Sequence, residues 1–124
     1  MFPPIFPAIK ASPACVALLK AGTGEIRFYE FGRAPQNCQK PYAVWQRVFG
    51  QPYNHVNEIP NTESFTLQID IYADRAEQSR NVAVAVRDAI EPIAYITNWL
   101  GESRDPETNN YRFGFQTDWI VERV

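Results

Sequence analysis

The stretch from Ser64 to Ile90 constrains this chain most, because its hydrophobic period changes midway. Phe65, Leu67, Ile69 and Ile71 alternate with Thr66, Gln68, Asp70 and Tyr72. Strict alternation predicts a strand with one buried and one more polar face. At Ala73-Asp74 the alternation stops. Asp74 is followed three residues later by Glu77, the spacing of a helix-capping pair. Val82, Val86 and Ile90 then recur every fourth residue, flanked by Ala83 and Ala89. That stripe predicts a helix to about Ile90, with Arg75, Glu77, Arg80 and Arg87 left in water. Pro92 ends it soon after. A strand running straight into an amphipathic helix requires a sheet for the helix to pack on.

The remaining segments supply that sheet. A helix is expected near Ala14–Lys20, with a turn of helix ahead of it compatible with Pro3, Pro4 and Pro7, and with Gly22 and Gly24 ending it. Ile26–Phe31, Tyr42–Phe49, Ile93–Leu100 and Tyr111–Val121 read as further strands, rich in aromatic and β-branched residues. Between them lie polar, proline-bearing loops over Gly32–Lys40, Gly50–Asn61 and Glu102–Asn110. The expected fold is a single α+β domain spanning residues 1–124. It has a mostly antiparallel sheet of about five strands with two helices on one face, in the order α-β-β-β-α-β-β. With 124 residues, a chain can bury roughly two-thirds of its unfolded surface and needs no disulfide or metal to fold.

Charge narrows the function. Twelve basic residues are spread among fourteen acidic ones, for a net charge of -2. No basic block marks a footprint for gripping nucleic acid. Cys15 and Cys38 have no partner pattern and read as two reduced thiols in a cytosolic protein. The proline-broken N-terminus lacks the basic start of a signal peptide. No apolar run approaches the roughly 20 residues that span a bilayer.

Catalytic patterns are weak. His55 is the one histidine, in a loop of Asn and Pro that better suits a contact residue than a catalytic base. Asp70, Asp74, Asp105, Glu107 and Asp118 lack metal-site spacing. Gly22 and Gly24 follow a helix instead of opening one, so that turn presents carbonyls and repels phosphate. No catalytic residue, metal or cofactor is therefore expected, and the balance moves toward assembly or binding. A surplus of apolar surface agrees. Tyr111, Phe113, Phe115 and Trp119 share a strand face and should line the core. Ala43, Trp45 and Phe49 oppose Tyr42, Val44 and Val48, so both faces of that strand carry large apolar groups. Subunit contact is a natural use for the excess.

The order of these segments resembles the tail-completion, or tail-terminator, family of siphophage and prophage morphogenesis proteins. PPIFPAIKASPACVALL resembles the family's opening helical region. KPYAVWQRVFGQP resembles its "lPYvv" strand, with Lys40 where an apolar residue is common. FTLQIDIYADRAEQSRNVAVAVRDAI resembles its strand ending in "vdvYA" and the helix after it, and YRFGFQTDWIV its closing strand. The likeness runs from about Pro3 to Arg123. It implies a non-enzymatic virion protein, assembled in the host cytoplasm. Such a protein forms a homo-oligomeric ring, typically of six subunits, on the head-proximal end of the tail tube. The ring ends tube polymerisation and meets the tail tube protein and a head-tail connector, and DNA passes through its lumen without specific binding. The family carries no catalytic residues to transfer. Assembly contacts are expected on the loops: Tyr53, His55 and Glu58 first, then Arg33 and Gln36, then Arg104 and Asp105. A neck protein at another level, or a small ligand-binding or enzymatic domain, would be the competing assignments.

Overall fold

The computed structural model describes residues 4–20, 24–48, 62–106 and 110–122. Two short helices, α1 (Ile5–Lys10) and α2 (Pro13–Leu19), come first. Strands β1 (Phe28–Glu30), β2 (Tyr42–Arg47) and β3 (Thr62–Ala73) follow, then helix α3 (Ala76–Ile90) and strands β4 (Tyr95–Arg104) and β5 (Tyr111–Glu122). The strands form one sheet in the order β1-β2-β3-β5-β4. This is the α+β layout that the sequence leads one to expect.

Three details differ from expectation. The opening segment is a helix in its own right, which makes three helices among the described residues. Ser12 then caps α2, accepting from the Cys15 amide at 3.3 Å, with Pro13 in the first turn where its missing N–H costs nothing. Second, β1 pairs parallel to β2, while the other pairings are antiparallel. Arg27 stabilises this crossover by donating to the carbonyls of Pro41 at 2.8 Å and Leu18 at 3.4 Å, which ties α2 to the start of β2. Third, Asp74 does not cap α3. The cap position is Arg75, with no side-chain bond, and the Asp74 carboxylate lies 3.4 Å from Lys40. The Asp74 amide donates instead to Gln78 Oε1 at 3.3 Å.

The core lies between the sheet and the helices. Leu67, Ile69 and Ile71 of β3 face Val82, Val86 and Ile90 of α3, all fully buried. Ile5, Ile9 and Leu19 of the short helices complete the apolar layer. Each such side chain stabilises the fold by about 1.5–3 kcal/mol relative to exposure. In β5 the expected core face holds at Phe115, Thr117 and Trp119, while Tyr111 and Phe113 are only half-buried. The buried Thr117 serves the Trp119 indole, whose N–H donates to its hydroxyl at 2.8 Å.

Candidate assembly surface

The helices cover one face of the sheet. On the other, cross-strand register sets polar residues in rows. Gln46, Gln68, Gln116 and Asn98 align across four strands as a row of amides. Beside it, Tyr42 stacks on Tyr72 with ring centroids 5.1 Å apart. Burial raises the phenol pKa of both. Asp70 is buried beneath Arg112, and Thr66 donates to Asp118 at 2.8 Å. This face is polar and internally bonded.

The longest run of exposed apolar side chains lies at and just ahead of β4. This strand is the sheet's edge, bonded on one side by β5. Tyr95 is 68% exposed, and Ile93, Trp99 and Leu100 are each more than two-fifths exposed. Trp99 packs edge-on against Phe113 at 5.6 Å and tilted against Phe115 at 5.0 Å, yet almost half of it meets water. For Trp99, which pairs with Phe115 on the helix-bearing face, the cause is the position of α3, which lies over β3 and β5 and reaches β4 only at its margin; Tyr95 pairs with Asp118 on the opposite face. An exposed edge with large apolar side chains is a template for another protein.

Beyond Leu100 the edge strand continues where a charged loop was expected. Register shifts at Ile96/Asn98 and Trp99/Gly101 introduce bulges. Gly101, at φ +85°, takes a conformation that a side chain would strain. Glu102 through Arg104 then pair regularly with β5. Arg80 of α3 holds this end with a two-pronged bond to Glu102, its Nη2 donating to Oε2 at 2.9 Å and its Nε to Oε1. That bond holds the Glu102 carboxyl below the usual carboxylate range and raises the guanidinium pKa further.

The residues singled out from the sequence fall in separate places. Arg33 and Gln36 lie exposed in the loop after β1, with Arg33 3.7 Å from Glu30. Arg104 ends β4, its guanidinium 5.3 Å from the Tyr111 ring centroid, and Asp105 follows it. β1 and β4 are opposite edges of the sheet, so one chain does not bring these two groups together. Tyr53, His55 and Glu58 lie outside the described residues. The exposed apolar run Ile93–Leu100 was not singled out from the sequence. Its signal was available: apolar residues at 93, 95, 96, 99 and 100 do not alternate as those of a half-buried strand do.

Chemistry elsewhere is sparse. Among the described residues, no three His, Cys, Asp or Glu side chains gather to hold a metal. No described helix is long and apolar enough to cross a membrane. Cys15 and Cys38 are free thiols. A shallow groove of about 360 Å³ beside β1 is lined by Arg27, Tyr29, Asn37 and Cys38, among others. Burial, reinforced by the Cys38 thiol, pushes the Tyr29 phenol up to about 12, so it stays protonated at neutral pH.

Four of the seven large exposed apolar side chains among the described residues lie at this edge, and such surface suits contact with another protein. The comparisons give the chain its family. The Tail completion protein gp17 family matches residues 3–122, and the chain belongs to it. Membership assigns it a structural role in a phage tail, and the virion tail as its place. No curated protein matches the sequence. Among solved structures, a chain from the "Virion of native gene transfer agent (GTA) particle" shares the fold, with a TM-score of 0.63 at 15% identity. The match covers 95% of this chain and 91% of that one.

Proposed function

We infer that the protein is a tail terminator, a ring of six copies seated on the head-proximal end of a phage tail tube. The ring ends polymerisation of the tube and offers its far side to the head-tail connector, and DNA slides through the lumen. The observation that carries this reading is the match of a tail-completion family to nearly the whole chain. The sheet agrees with it in having two edge strands, β1 and β4, with no further strand beside either among the described residues, since a head-to-tail contact between copies closes a ring when its rotation closes. The open sheet face also suits passing DNA, because its Arg112 guanidinium is already engaged by Asp70. Tyr53, His55 and Glu58, with Arg33, Gln36, Arg104 and Asp105, are the proposed contacts to tube, connector or neighbouring subunit. Gold labelling of an epitope-tagged copy in intact particles tests the placement. Label at the junction of tube and head supports it. Label at the capsid portal makes the protein a neck component, and label at the distal tip refutes a terminator.

A further inference from the structure

A ring repeats whatever each subunit turns inward. A free cation facing the lumen recurs in every copy, around a duplex that carries one negative charge per roughly 1.7 Å. Such a collar would hold the phosphates that have to slide past it. The lumen lining is therefore expected to lack free cations, and the two broad faces of this domain differ in that respect.

On the open face of the sheet, between the row that starts at Tyr42 and the row that ends at Tyr95, the acidic and basic residues are Asp70, Arg112 and Asp118. Arg112 directs two N–H groups at Asp70, and Asp118 accepts from Thr66. Two acids to one engaged base leave this face slightly negative. Between the rows of the two acids lies the amide row Gln46–Gln68–Gln116–Asn98. Neutral amides displace no counterions from DNA and so add no salt-dependent grip. The helix-bearing side is different. Lys10, Lys20 and Arg75 are exposed on its helices and their ends, and among the described residues no ion pair engages them. Turned inward, these three would recur around the whole ring. We propose that the open sheet face lines the lumen, with the amide row toward the phosphate backbone of passing duplex DNA and the helices outward. This rests on the ring reading and specifies how each subunit sits in the ring.

Electron cryomicroscopy of purified tails tests it without altering the protein. The expected map has the strands at the inner radius of the ring and α1, α2 and α3 outside them. A ring of this chain with its helices, or neither layer, at the inner radius overturns the proposal and leaves the terminator reading standing. A head-proximal tube end that carries no ring of this chain sinks both. Added charge gives a second readout. Gln46→Lys with Gln116→Lys places two cations per subunit in the amide row, and Asn81→Lys with Val84→Lys places two on the exposed side of α3. Thermal melts and blotting of purified tails first establish that both variants fold and are incorporated. Particles with the amide-row variant should then deliver their genome to cells more slowly, by about tenfold, while particles with the α3 variant deliver it at the unaltered rate. Unchanged delivery by the amide-row variant, or equal slowing by the α3 variant, overturns the proposal.

Discussion

Arg112 of β5 directs two guanidinium N–H groups at one oxygen of Asp70 on β3, Nε at 3.0 Å and Nη2 at 2.8 Å from Oδ1. The Asp70 side chain is 7% exposed, and Arg112 is 41% exposed. The partners are thus unequal, and so are the costs of removing them. Arg112→Ala strands a buried carboxylate with Gln68 as its remaining donor and should cost about 2 kcal/mol, whereas Asp70→Asn should cost about 1 kcal/mol. Urea denaturation of the two variants measures the difference. Gly114 belongs to the same arrangement, because a Cβ there would lie 2.8 Å from Asp70 Oδ1. Gly114→Ala should therefore destabilise by about 1–3 kcal/mol, as overpacking does, although alanine ordinarily favours a strand over glycine.

Much of this could be read from the sequence. The alternation in Phe65–Tyr72 and the four-residue stripe Val82–Val86–Ile90 fixed β3 and α3, because both depend on burial of a single face. The parallel β1–β2 pairing was not legible. Strand direction is set by contacts between segments, such as the Arg27 bonds to Pro41 and Leu18, which no local pattern reports. Asp74 looked like a cap because capping is local, but Lys40, from another element, lies beside its carboxylate. The edge position of β4 was hidden for the same reason, since strand order is a long-range property. The amide row Gln46–Gln68–Gln116–Asn98 likewise appears only once register is known.

The Thr117 hydroxyl lies in the core, where it accepts from the Trp119 indole and donates to the Leu67 carbonyl at 3.3 Å. Thr117→Val keeps the shape and leaves the indole N–H unpaired. The expected loss is about 1–3 kcal/mol, the cost of an unsatisfied buried donor. Chemical denaturation followed by tryptophan fluorescence measures it.

Acid should loosen the end of β4. The Glu102 carboxyl is held below its ordinary range chiefly by the Arg80 hydrogen bond. A carboxyl depressed in the fold stabilises above its unfolded value, and that stabilisation is lost as pH falls through its folded value. The protection of the Ser103 amide against hydrogen exchange, relative to its intrinsic rate, should therefore fall as pH drops below the ordinary carboxylate range. Glu102→Gln should show fast exchange there already at neutral pH, with the acid step gone.

The apolar edge should matter to assembly more than to folding. Tyr95→Ser and Ile93→Ser remove exposed side chains and should change stability by no more than about 0.5 kcal/mol. Both should reduce incorporation into tails. Thermal melts and quantitative blotting of purified particles provide the two readouts.

The central claim is that this chain completes a phage tail. The most direct test is electron microscopy of particles produced without it. The account predicts tails of abnormal length, or tails and filled heads that never join, with assembly restored by supplying the protein in trans. Normal tailed particles formed in its absence would contradict it.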